Sequence, residues 1–202
     1  MHKEIGSCGD YAVATLQANA NIPEGMGVDG YYHVECRDKD GNLKWTEEFP
    51  NLVVAVGKQL LLDTLLRTSG TYTTVGPYLG LTNASLTPAA TDTMTTLVGG
   101  GKEFTNYTVG GSAVRGTAVF GASTSSGTTP SNVTTSTATA ITYTITGAGG
   151  TVYGCFLVTG SGASSTQSNT SGTLYSEGNF TTAKATTAGD TVSVTYSTTA
   201  TS

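Results

Sequence analysis

Between residues 113 and 199 the chain writes one kind of segment five times: AVRGTAVFGA (113–122), NVTTSTATAITYTIT (132–146), TVYGCFLVTGSG (151–162), TLYSEGNF (173–180) and DTVSVTYSTT (190–199). Each run shows alternation or β-branched density, and clusters of Gly and Ser separate them. Successive side chains of a strand point to opposite faces, so alternation specifies one dry face and one wet one. Ile141, Tyr143 and Ile145 share a face, with Thr142, Thr144 and Thr146 opposite; Val192, Val194 and Tyr196 alternate in the same way with Ser193, Thr195 and Ser197. Strands recurring at such intervals between turn signals build a sandwich or a barrel. The expected fold is therefore mainly β, a β-sandwich or jelly-roll-like barrel.

Charge divides the chain into two compositional halves. Of the 86 residues from Thr117 onward, only Glu177, Lys184 and Asp190 are charged, whereas 39 are Ser or Thr. Disorder normally accompanies high net charge, and here the balance is only -5. Nine scattered Lys and Arg residues cannot form the clustered basic footprint that neutralises phosphates, so no nucleic-acid partner is expected. MHKEIGSCGDYAV lacks the basic region and apolar core of a signal peptide, and no run reaches the length of a membrane span. Synthesis in a cytoplasm and no membrane partner are the expectations. Cys8, Cys36 and Cys155 are odd in number and far apart, which suits reduced, partly buried thiols better than a disulfide framework or a zinc set.

The first half is mixed. GYYHVECRDKDGNLKWTEEFPN (30–51) predicts a hairpin with Asp40 and Gly41 at its tip. In NLVVAVGKQLLLDTLL (51–66) an apolar run meets Gly57 and Lys58 and passes into helical spacing. That order imitates a phosphate-binding loop. The loop, however, follows G-x-x-x-x-G-K-[ST], and here Val53 and Val54 stand upstream where a Gly is needed and Gln59 follows the Lys. The reading adopted is a strand turning at Gly57 into a short helix over about 57–68, stopped by Thr68, Ser69 and Gly70, with Lys58 on the wet side. Its Leu61, Leu62 and Leu65 are expected in the core beside Phe156 and Val158. PYLGLTN (77–83) predicts a short strand, and TPAATDTMTTL (87–97) one helical turn around Asp92 and Met94. The polar SGASSTQSNTSG (161–172) predicts an exposed loop. Residues 10–20 are ambiguous between a short helix and an extended arm.

The chemical motifs are sparse. GMGVDG (25–30) has the letters of a dinucleotide fingerprint, but it precedes a strand at 31–37 instead of following one, so it reads as a turn. His33 and Cys36 are an odd number of residues apart on one strand, which points them to opposite faces. Asp38 and Asp40 lack the remaining ligands of a calcium loop, and Glu47 and Glu48 lie on alternating faces of a strand. Sequons at Asn83, Asn106, Asn132, Asn169 and Asn179 are a by-product of abundant Ser and Thr. No catalytic, cofactor-binding or metal residues are assigned, no cofactor is expected, and an enzyme is the least favoured class.

Taken in order, the hairpin and helix segment 30–66, PYLGLTNAS, TVYGCFLVT, TLYSEGNF and AGDTVSVTYSTTATS resemble a group of small structural proteins of tailed bacteriophages. Their pattern has an extended segment with Trp and acidic residues, an N-L-V-x-x-x-G-K junction and helix, and strands of the yLGL, G-C-F-L-V, tLYs and GDT-x-x-VTY types. The resemblance covers most of residues 30–202. It implies a head decoration, or cement, protein that binds the outside of the capsid, contacts the major capsid protein as a trimer or dimer, and is located on the virion. It implies no catalytic residues. A neck or tail component such as a fibre adaptor, and a carbohydrate-binding β-sandwich on the virion surface, are the alternatives. The expected organisation is an N-terminal arm at 1–29 and one β-rich domain at 30–202, with hairpin and helix in 30–83 and the Thr/Ser-rich β part in 113–202. The arm up to Ile22, or the hairpin tip at 38–42, is the expected lattice contact.

Overall fold

A computed structural model of the chain describes residues 27–67, 75–123, 131–133 and 140–201. In chain order the elements are β1 (Gly27–Arg37), β2 (Leu43–Pro50), β3 (Leu52–Val53), α1 (Ala55–Leu66), β4 (Tyr78–Thr82), α2 (Met94–Leu97), β5 (Glu103–Phe104) and β6 (Tyr107–Thr108). They continue with β7 (Gly116–Thr117), β8 (Ser131–Val133), β9 (Ile141–Ile145), β10 (Gly150–Thr159), β11 (Thr173–Thr186) and β12 (Thr191–Thr201).

β1 and β2 form the expected hairpin, with Cys36 opposite Trp45 and Tyr31 opposite Pro50. Asp38 closes its tip: Oδ1 accepts the amides of Asp40 at 2.9 Å and Asn42 at 2.8 Å. A short acceptor that bonds its own backbone a few residues on is what makes Asp a turn former. The other edge of β1 pairs antiparallel with β12, from Gly27 opposite Thr201 to Arg37 opposite Thr191. Gly27 to Asp29 thus belong to the sheet, not to a turn or an arm, and the earlier expectation is corrected there; the rest of the arm lies outside the described residues. β1 can extend this far because Gly30 admits a close approach. A Cβ there would collide with the Tyr196 hydroxyl and the Asn51 amide, which are themselves joined by Asn51 Nδ2 donating to Tyr196 Oη at 2.8 Å.

Asn51 is the corner at which the chain changes sheets. One six-stranded sheet runs β2-β1-β12-β9-β6, with β8 also on β12; the other runs β3-β11-β10-β4-β5, with β7 also on β4. All the pairings are antiparallel. The architecture is a β-sandwich. Its inter-sheet core joins Tyr32, Val34, Tyr143, Val192, Val194 and Tyr196 of the first sheet to Leu79, Leu81, Cys155 and Leu157 of the second. The alternation in 141–145 and in 192–197 divides buried from wetter side chains as expected.

The second sheet is covered on its other face as well. Phe156 and Val158 of β10 and Leu174 of β11 pack with Val54, Leu86, Met94, Leu97 and Val98 in a separate core. This explains GCFLV: residues 154–158 are all buried, as a strand dry on both faces must be. The cover is the 85–98 segment, whose α2 is the single turn expected around Met94. Thr93 caps it in a capping box with Thr96: Thr96 N donates to Thr93 Oγ1 at 3.3 Å and Thr93 N to Thr96 Oγ1 at 2.9 Å.

Three further expectations need correction. The helix spans 55–66 rather than 57–68, so Gly57 lies inside its first turn and is not a hinge before it; the expected stop at 68–70 lies outside the described residues. The run 113–122 contributes only the two-residue β7, because Arg115 within it is drawn into the interior. Finally, residues 161–172 form a loop as expected, but Ala163 is buried and the backbone is tied inward. The run 132–146 holds β8 and β9, and residues 134–139 lie outside the described residues.

Candidate interaction surface

α1 begins directly after β3 and packs along β11. Val54 supplies no side-chain cap, the first turn has no acidic residue and the last turn no basic one. Helix-end electrostatics therefore do little to hold it, and packing must. Gly57 is the contact point. A Cβ there would lie 2.5 Å from the Tyr175 carbonyl oxygen and 2.9 Å from Tyr175 Cα, so only Gly lets the helix lie this close to the strand.

Gly57→Ala is a contest between two effects. Replacing Gly by Ala in a helix ordinarily gains about 1 kcal/mol, while forcing a methyl against immobile backbone costs roughly 1–3 kcal/mol. The obstacle is main chain, so the second effect prevails. A net loss of about 1 kcal/mol is expected in urea titration, and a stabilised variant would show that the helix simply steps away.

Apolar residues surround this helix instead of forming one stripe. Val56, Leu60 and Leu61 lie half-buried on the side of Gly57. At about 100° per residue, Leu62 and Leu66 fall on the far side. The expected core face is corrected here: Leu62 is 45%, Leu65 70% and Leu66 73% exposed, whereas Phe156 and Val158 are fully buried as expected. LLLDTLL looks like a core helix because its hydrophobicity is high. The signal that was present but unread is its placement: five Leu in two turns exceed what one side of a helix can bury against a sheet. Three adjacent exposed leucines are a patch of the kind that marks a protein contact.

The remaining sequence candidates are dispersed. His33 Nδ1 is 2.9 Å from Glu48 Oε1 on the outer face of the first sheet, while Cys36 points inward and is fully buried. Burial pushes the Cys36 thiol up to about 11 and the Cys155 thiol higher still, which disfavours the nucleophilic thiolate. Asp38 is held below the usual carboxylate range by its hydrogen bonds from Asn42, consistent with a turn role. Glu47 bonds Lys184 at 2.6 Å, and Lys58 is exposed. Cys8 lies outside the described residues.

Two clusters built around a buried charge were not anticipated. Arg115 is fully buried and forks onto Glu103, with Nε to Oε1 at 2.7 Å and Nη2 to Oε2 at 2.8 Å. Its remaining donors reach the Ser164 carbonyl at 3.0 Å and the Asn169 carbonyl at 2.8 Å, and the Ser168 amide donates to Glu103 Oε2 at 2.7 Å. Phe156 lies beneath the guanidinium, 5.3 Å from ring centroid to Cζ. This is a peg holding the 161–172 loop, and every charge-bearing group in it has a partner. The other cluster is Asp92 with Glu177, beside Lys102, around a polar pocket of about 110 Å³. Burial first, and the neighbouring Asp92 second, hold the Glu177 carboxyl up at about 8.

A shallow groove of about 520 Å³ lies on the second sheet between Asn83, Asn106, Thr151 and Tyr153. Among the described residues no group of three or more His, Cys, Asp or Glu side chains is arranged to hold a metal, and no helix is long and apolar enough to cross a membrane. Compared with known proteins, the chain gives no significant match to a protein-family model, a curated protein or a solved structure.

Proposed function

We propose that this chain is a structural virion protein of a tailed bacteriophage, a decoration or cement protein that binds the outer face of the head through protein contacts. The observation that carries the reading is the leucine face of α1, which is anchored to a rigid sandwich through Gly57 yet leaves Leu62, Leu65 and Leu66 in solvent. The order of sequence segments that resembles phage structural proteins supports the phage assignment. A cement protein works by summing modest contacts over many copies, so a stiff scaffold with a small apolar patch suits it better than a reactive cleft. The major capsid protein is the proposed partner, and a trimer or dimer the proposed form.

The test is binding to expanded capsids that lack the protein. Wild type is expected to co-sediment in hundreds of copies per particle. Ser at positions 62, 65 and 66 together is expected to weaken binding by tenfold or more with an unchanged melting temperature, since the lost contacts are exposed in the free protein. Failure of the wild type to bind overturns the reading, and a stoichiometry of about three to eighteen copies assigns it instead to the neck or tail. A carbohydrate-binding role is the second reading, favoured by the groove that Asn83, Asn106 and Tyr153 line together. Glycan-array binding that is lost in Tyr153→Ala would support it.

A further inference from the structure

We propose that the pocket between the 85–97 segment and β11 is a binding site for a hard divalent cation of the calcium class, with Asp92 and Glu177 as its charged ligands. The pocket holds about 110 Å³; Leu86 and Leu97 supply apolar wall, while Ser85, Thr87, Asp92, Thr96 and Glu177 supply oxygens, with Lys102 beside them. Glu177 points there from the middle of β11. It is only 1% exposed, and its Oε1 meets no N–H or hydroxyl donor; the group it faces is the Asp92 carboxyl. Two carboxyls that face each other without water or another donor cannot both be ionised unless something positive lies between them: a shared proton, or a cation seated in the pocket.

Asp92 is already oriented for the task. Its Oδ2 accepts the Ala89 amide at 2.8 Å and its Oδ1 the Thr96 hydroxyl at 3.3 Å. A carboxylate offers about four lone-pair sites, so both oxygens retain capacity toward the pocket. Lys102 does not take the cation's place, because no ion pair within 4 Å joins its ammonium to Asp92 or Glu177. Its charge weakens the site without closing it.

The donor set selects the metal. Only oxygen ligands are offered, which disfavours zinc and copper, and only two are carboxylates, so hydroxyls and water must complete the shell. Calcium accepts such mixed, irregular shells of six to eight oxygens, whereas magnesium demands near-octahedral geometry. Two carboxylates opposed by a lysine place the affinity in the weak class, with Kd on the order of 10⁻⁴–10⁻³ M. The Glu177 carboxyl must lose its proton to ligate, so binding releases protons and tightens as pH rises.

The experiment is calorimetric titration of calcium chloride into the whole protein after dialysis against EDTA, at pH 8 and pH 6 and in two buffers of different ionisation enthalpy, with melting curves alongside. Saturable binding near one equivalent is expected, with proton release, weaker affinity at pH 6, and a Tm rise of about 5–10 °C at a hundredfold excess over Kd. Glu177→Gln, which preserves shape, is expected to fold and lose the response. Asp92→Asn should weaken it tenfold or more. Three outcomes overturn the proposal: no heat and no Tm shift in the wild type, an equal response to magnesium, or an undiminished response in Glu177→Gln. A Glu177→Gln variant that is simply more stable than a calcium-indifferent wild type means that the pair shares a proton only.

Discussion

Arg115→Met is expected to cost about 3–5 kcal/mol of folding stability, the usual consequence of removing one partner from a buried ion pair. The loss exceeds that of a surface bridge because Glu103 stays behind at 5% exposure, keeping the Ser168 amide but losing both guanidinium bonds. The Ser164 and Asn169 carbonyls lose their donors at the same time. Urea titration gives the magnitude. Hydrogen exchange gives the place: amides of residues 163–170 should lose protection first, ahead of β10 and β11. The double variant Arg115→Met with Glu103→Gln should recover part of the loss, because it removes the stranded charge. If the single variant costs less than 1 kcal/mol, the peg is not what holds the loop.

The second large effect is a fall in stability with rising pH, measured in EDTA so that no divalent cation intervenes. Glu177 holds its proton up to about 8 in the folded protein, against 4.5 for an ordinary Glu. Below pH 4.5 the carboxyl is protonated folded or unfolded, and contributes no pH dependence. Between pH 4.5 and 8 the unfolded chain has released a proton that the folded protein still binds, so stability declines throughout that window and levels off above it. At 1.36 kcal/mol per unit the total is on the order of a few kcal/mol. Asp92 and Asp190 are held below their ordinary range by hydrogen bonds that favour the ionised form, set against burial, and their contributions are lost only as pH falls below about 4. The predicted profile therefore has its maximum in the acid range. Urea midpoints at pH 5 and pH 8 should differ for the wild type and nearly coincide for Glu177→Gln; a flat wild-type profile refutes the burial of a protonated Glu177.

The sequence carried the sandwich because alternation is a local signal: 141–145 and 192–197 reveal their faces without reference to anything distant. GCFLV identified a strand but not why it is apolar on both sides, since that depends on the 85–98 segment, far from it in sequence, folding over the second sheet. Gly57 was read as a hinge because strand, Gly and helix are adjacent in the chain; its actual duty, clearing the Tyr175 carbonyl, arises from a residue more than a hundred positions away. The same holds for the buried charges. Arg115 sits inside the run AVRGTAVFGA and Glu177 is one of three charges after Thr117, and nothing local marks either as buried. Their partners, Glu103 and Asp92, are brought to them only by the tertiary fold. The α1 leucines were misassigned for the converse reason: hydrophobicity records what a residue prefers, and Leu62, Leu65 and Leu66 are left exposed by the fold all the same.

The pairing of Gly27 with Thr201 has a mechanical corollary. β1 and β12 lie antiparallel, and the sheet-entering end of one is bonded to the last strand residues of the other. A pull that separates these two ends would open the ladder as a zipper, breaking one rung after another at low force. A pull along the strands in shear would instead load all the rungs between Gly27 and Arg37 together. Anchored near both ends, the domain would tear easily; held by α1 and the opposite sheet, it would carry strain as a solid block.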